Sequence, residues 1–347
     1  MTTTAVLRTA ALALLVVLAA CSGQREPLEP QLKAIRSYGW PASVVDPDPD
    51  WNPASHLLVA RSMGGFSTFE EGGAGERRFA ADDRRESHHP RWLNREQFVF
   101  GPGWNARRGA DGAVSTPSEG ITVVTMRDGK PESRLPLSDR GYRPQPSEGV
   151  LIAQEGNRIL VIDARGRVSE FGEGFDPVPQ PDGPGLAWRD RPAFDADWWT
   201  GGSDRGSMVV RWSRGRVDTL GDAVQAAWTR HGGLLATMRL APPAAGQPWW
   251  SGGSEIIHLP GPGAPRTVVR RGARDPAPHP FAELLAWTGD DGGVWIGTLR
   301  ADGWSERIAV NGSRPRWSHD GLRVCWLEAP PEGSQIPGIR VTVLAVR

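Results

Sequence analysis

Beyond residue 31 the apolar positions come in short runs, not in long stripes. Leu57-Leu58-Val59-Ala60, Gln97-Phe98-Val99-Phe100, Leu151-Ile152-Ala153, Leu186-Ala187-Trp188, Leu234-Leu235-Ala236, Leu284-Leu285-Ala286-Trp287 and Val324-Cys325-Trp326-Leu327 each stop after a few residues. Nowhere does an apolar face recur at helical spacing over several turns. Short β-rich runs bounded by Gly, Pro, Asp and Ser predict strands joined by turns. In most units a second apolar run follows. Examples are Ile121-Thr122-Val123-Val124, Ile159-Leu160-Val161-Ile162, Met208-Val209-Val210, Ile256-Ile257-His258-Leu259, Val294-Trp295-Ile296 and Ile339-Arg340-Val341. Arg77 to Glu86, in the first unit, is charged and reads as loop.

The segments ahead of the first runs are also alike. Pro315-Arg316-Trp317-Ser318-His319-Asp320-Gly321 leads to Leu322-Arg323-Val324-Cys325-Trp326. In the same frame stand Pro49-Asp50-Trp51, Pro90-Arg91-Trp92, Pro144-Gln145-Pro146, Pro177-Val178-Pro179, Ala226-Ala227-Trp228 and Pro276-Ala277-Pro278. The 315–326 unit resembles the TolB-type propeller repeat, whose core reads P-x-W-S-P-D-G-x-x-I-A-F. The period is roughly 34–53 residues, near the size of a four-stranded propeller blade. The resemblance spans nearly the whole chain after the leader. It implies an all-β propeller of about seven blades, with six as the alternative if one unit is degenerate. The last unit ends after its third strand, so residues 32–46 are expected to complete the blade of 315–347. Closing the ring that way removes exposed sheet edges.

The N-terminus has a different character. Arg8 precedes an unbroken apolar run, Ala10 to Ala20. The run is shorter than the ~20 residues of a membrane-spanning helix and suits a signal peptide. It ends in Leu18-Ala19-Ala20-Cys21-Ser22, which resembles a bacterial lipobox. That resemblance implies cleavage before Cys21, acylation of its thiol, and export to an envelope membrane on the periplasmic or cell-surface side. The expected organisation is a leader at 1–20, the lipidated cysteine and a polar tether at 21–31, and a propeller at 32–347.

Charge and composition narrow the functional classes. Forty basic and forty acidic residues cancel, and no basic stripe points to nucleic acid. With Cys21 acylated, Cys325 has no partner; within its apolar run it is expected to be buried and inert. No nucleophile elbow, zinc-protease helix or phosphate loop is present. His88-His89 lacks further ligands at metal spacing. Asp46-Pro47-Asp48-Pro49-Asp50 lacks the glycine and distant glutamate of a calcium loop, and is read as turn chemistry. No catalytic residue, metal or cofactor is assigned.

The long loops between second and third strands hold the candidate recognition residues. Trp198-Trp199-Thr200-Gly201-Gly202-Ser203-Asp204 and Trp249-Trp250-Ser251-Gly252-Gly253-Ser254-Glu255 are nearly the same string in adjacent units, and Trp104 stands in a third loop. In a propeller these loops share one face with the connections between blades. Rigid indoles there suit a sugar ring or peptide; they equally suit packing over blade edges. The expectation is an envelope interaction module binding a protein, peptide or glycan. A channel hydrolase or lyase and a purely structural protein are the alternatives.

Overall fold

The computed structural model describes residues 31–40, 48–54, 58–62, 65–69, 75–80, 87–102, 107–108, 114–115, 120–191, 206–243, 247–330 and 337–346. The leader, Cys21, the tether up to residue 30, Trp104, Trp198 and Trp199 lie outside them.

The described strands form seven four-stranded antiparallel sheets. Blade one holds Asp50–Trp51, Leu58–Ser62, Gly65–Phe69 and Glu76–Ala80. Blade two holds Ser87–Trp92, Gln97–Pro102, Ile121–Arg127 and Lys130–Ser138; a small ribbon, Arg107–Arg108 with Val114–Ser115, rises from its long loop. Blade three holds Tyr142–Ser147, Val150–Glu155, Arg158–Asp163 and Val168–Glu173. Blade four holds Phe175–Pro179, Leu186–Arg189, Ser207–Arg211 and Val217–Gly221. Blade five holds Ala223–Trp228, Leu234–Arg239, Ser254–Leu259 and Thr267–Arg271. Blade six holds Ala273–Pro278, Leu284–Gly289, Val294–Thr298 and Ser305–Ala309. Blade seven holds Ser313–Trp317, Arg323–Glu328 and Gly338–Val346, and takes Leu32–Trp40 as its fourth strand.

Strand alternation explains the ring. Successive side chains of a strand point to opposite faces, so each second strand feeds two interfaces. Leu234 and Ala236 pack toward blade four, while Leu235 packs with Leu285 and Trp287 of blade six. Apolar clusters of this kind join blades one and two, two and three, three and four, four and five, five and six, and six and seven. Trp40, Trp51, Phe69, Cys325, Leu327 and Ile339 then join seven to one. The expected propeller closes as predicted: Leu32 pairs with Val346 and Trp40 with Ile339.

The first unit corrects the sequence reading. Arg77–Ala80 is strand, not loop, and pairs with Gly65–Phe69. Its third strand, Gly-Phe-Ser-Thr-Phe, is buried throughout, and Ser67 and Thr68 interrupt the apolar run that would mark it. Its fourth strand is an outer edge, where charge is tolerated.

The tryptophan of the repeat ties blades together. Trp51 Nε1 donates to the Arg316 carbonyl at 3.3 Å, Trp228 Nε1 to that of Val178 at 2.9 Å, and Trp317 Nε1 to that of Ala277 at 2.9 Å. Each bond runs from one first strand to the first strand of the preceding blade. On the face opposite the between-blade connections, His319 Nε2 lies 3.1 Å from the Trp51 carbonyl and His279 Nε2 3.1 Å from that of Gly321. These two histidines staple neighbouring blades.

Candidate functional site

The first strands of successive blades contact one another and so surround the axis. Six of them slip register at the same place: between His88 and Arg91, Tyr142 and Gln145, Phe175 and Val178, Ala223 and Gln225, Arg274 and Ala277, and Ser313 and Arg316. The residues at this level are Asp48, His89, Arg143, Asp176, Gln225, Asp275 and Arg314. All but Gln225 precede a proline. In five blades the residue is left-handed: His89 at φ 51°, Arg143 at 50°, Asp176 at 49°, Asp275 at 53° and Arg314 at 52°.

A left-handed non-glycine residue costs roughly 1–2 kcal/mol, and such strain persists only where the surroundings fix it. For three of the five, the preceding blade supplies a constraint. The bulge turns an N–H out of its own ladder, and a side chain across the interface accepts it. Asp176 N donates to Gln154 Oε1 at 2.9 Å, Asp275 N to Gln225 Oε1 at 2.9 Å, and Arg314 N to Thr288 Oγ1 at 3.2 Å. The backbone thus presents a ring of polar side chains at the channel mouth, on the face that carries the connections between blades.

The ring is knit by charge. Asp48 is its most heavily engaged member: Oδ2 lies 2.8 Å from His89 Nδ1 and accepts from Arg91 Nη2 at 2.5 Å, while Oδ1 accepts from Arg316 Nη2 at 2.7 Å. Burial alone would raise the Asp48 carboxyl; Arg91 and Arg316 outweigh it and hold it well below the usual carboxylate range. Asp50, one step deeper, is raised by burial, although Trp92 N donates to it at 2.7 Å. Burial pushes His89 down to about 4, against the pull of Asp48. The carboxylate accepts, so Nδ1 carries the imidazole proton. Further round, Arg143 pairs with Asp176, and Gln225 Nε2 donates to Asp275 Oδ1 at 2.5 Å.

A histidine that protonates near 4 is a weak general base at neutral pH. Among the described residues no group of His, Cys, Asp and Glu is placed to hold a metal ion. Burial drives the Cys325 thiol up to about 12, so it stays protonated.

The two described tryptophans of the long loops sit beside this ring. Trp249–Gly252 forms one 3₁₀ turn. Trp249 is buried and meets Trp250 edge-on, centroids 5.6 Å apart. Trp250, half-buried, lies against the Arg274 guanidinium at 4.3 Å. Arg274 directly precedes Asp275, so this indole borders the channel mouth.

Sequence reasoning passed over the ring. Read alone, Asp48 belongs to turn chemistry and His89 to no site. The legible signal was the residue ahead of each repeat proline: Asp48, His89, Arg143, Asp176, Asp275 and Arg314 are all ionisable. Compared with family models and with curated proteins, the chain matches none.

Proposed function

We propose that this protein is an exported lipoprotein, held at an envelope membrane by acyl chains on Cys21, whose propeller binds a protein, peptide or glycan partner at the channel mouth. The observation that carries the reading is the placement of Trp250 over Arg274, next to Asp275. It joins a rigid aromatic surface to fixed, preorganised polar groups, the combination on which recognition energy concentrates. Trp104, Trp198 and Trp199, in the corresponding loops of blades two and four, belong to the same proposed surface. A tether of about ten residues would let the propeller stand clear of the lipid while staying close to it.

The test is retention of a partner from envelope extract by the soluble domain, residues 24–347. A second sample carries Trp198→Ala, Trp199→Ala, Trp249→Ala and Trp250→Ala. A partner or glycan held by the parent and lost by the still-folded variant supports the reading. Equal retention by both places recognition elsewhere.

A further inference from the structure

Three interfaces anchor the following blade near the mouth through a polar side chain of the second strand, and the interface between blades four and five does not. The second-strand residue facing the next blade near the mouth is Gln154 in blade three, Arg189 in blade four, Thr237 in blade five and Thr288 in blade six. Register with the first strands places them together: Val178 pairs with Ala187, Gln145 with Ile152, and Ala277 with Ala286, each two residues short of the position. Gln154 and Thr288 accept an N–H from the following blade. Thr237 Oγ1 donates to Gln225 Oε1 at 3.0 Å, which itself accepts the following N–H. Arg189 can accept nothing, because a guanidinium only donates.

Arg189 is 7% exposed, and its Nε is buried without a hydrogen-bond partner. No carboxylate among the described residues lies within ion-pair distance of it. The nearby carboxylates are engaged elsewhere: Asp176 with Arg143, and Asp190 Oδ1 with Ser207 N at 2.7 Å. Arg239, also 7% exposed, adds a second cation and leans on Asp222 at 3.6 Å. Burial, with Arg239 adding to it, pushes the Arg189 guanidinium below its ordinary value, against Asp176 and Asp190. Gly206 backs the fork so closely that a Cβ there would stand 3.2 Å from Arg189 Nη2. A buried cation without a partner is costly, and folded proteins keep such groups paired.

We propose that the mouth between blades four and five is a subsite for a carboxylate on the ligand, with Arg189 as its donor. The planar guanidinium matches a carboxylate in a two-bond fork. One cation unpaired among the described residues, with Asp176 and Asp190 close by, suits a single negative charge, not a phosphate dianion. The inference rests on the binding reading above and names the ligand's anionic group. The carboxylate could come from a peptide C-terminus or from an acidic sugar.

The full-length protein is titrated with four probes: an N-acetylated dipeptide with a free C-terminus, the same dipeptide amidated, galacturonic acid, and galactose. The readout is Tm at constant ionic strength, repeated with Arg189→Met and Arg189→Lys. The expected result is a rise of about 3 °C at tenfold saturation with at least one acid. Its neutral counterpart has no effect, Arg189→Met abolishes the response, and Arg189→Lys reduces it. The responding acid separates the peptide source from the glycan source. Arg189→Met should fold with a Tm at or above that of the parent, since it removes a buried charge that has no counter-charge among the described residues. A response shared by the neutral probe, a response retained in Arg189→Met, or no response to either acid overturns the proposal. None of these probes is an envelope partner, so failure here leaves the pull-down result intact, and the reverse also holds.

Discussion

Asp48 and Arg316 are 268 residues apart in the chain and 2.7 Å apart in space. One belongs to blade one, the other to blade seven, and their contact crosses the point where the ring closes. Because Asp48 also holds Arg91 and His89 of blade two, a single carboxylate links three blades. Asp48→Asn should destabilise the fold by about 2–4 kcal/mol, because it leaves the buried Arg91 without its counter-charge. Arg316→Met should cost less, as that side chain is 38% exposed. In denaturant unfolding the double variant should lose less than the sum of the two.

Acid should act in two windows. An unfolded histidine takes up its proton near pH 6.5, whereas folded His89 and His279 resist protonation down to about 4. Between those values the unfolded chain binds more protons, so stability falls as pH drops from 6.5 toward 4. The slope is at most about 1.4 kcal/mol per pH unit for each histidine. The Asp48 carboxyl is held below the value of an unfolded aspartate, which is about 3.9. Its contribution is complete above that pH and is lost as pH falls through the folded value. Urea unfolding between pH 7 and 4.5 should show the upper window, and His89→Gln with His279→Gln should flatten it.

The indole bonds between blades separate two otherwise similar substitutions. Trp228→Phe and Trp317→Phe each remove an N–H that a neighbouring blade accepts. Each should cost about 1 kcal/mol beyond the lost packing. Trp92→Phe removes an Nε1 that has no hydrogen-bond partner, and should cost the packing difference alone. Thermal unfolding of the three variants side by side checks the contrast.

Much of the ring was legible because its physics is local and repeated. A proline or tryptophan, a tight turn and an apolar run recur in register, and the missing strand of the last unit announced closure by residues near 32. The first blade was obscured because Ser67 and Thr68 are buried polar residues within a strand, which breaks the apolar pattern. The polar ring was obscured for another reason. Asp48, His89 and Arg143 stand more than 40 residues apart in sequence, and each reads alone as an ordinary turn residue. Only the fold gathers them around an axis. Arg189 is harder still: its meaning comes from comparison with Gln154, Thr237 and Thr288 at the same level of neighbouring blades.

Closure makes a prediction about solubility. Deleting residues up to 41 removes Leu32–Trp40 and leaves Gly338–Val346 with an open edge. Such an edge invites pairing with other chains. The shortened protein should form oligomers or aggregates and melt at least 10 °C below residues 24–347, by light scattering and a thermal scan.

The proposed binding role puts recognition at the channel mouth and not on the opposite face. The direct measurement compares partner affinity for three forms of residues 24–347. One is unaltered. One carries Trp250→Ala and Asp291→Ala, beside Arg274 and the Asp290–Gly292 turn of the mouth face. One carries Phe281→Ala and Leu322→Ala, exposed apolar residues of the opposite face. The mouth variant should bind at least tenfold more weakly while the opposite-face variant matches the parent. Loss confined to the opposite-face variant, or equal binding by all three, would contradict that placement.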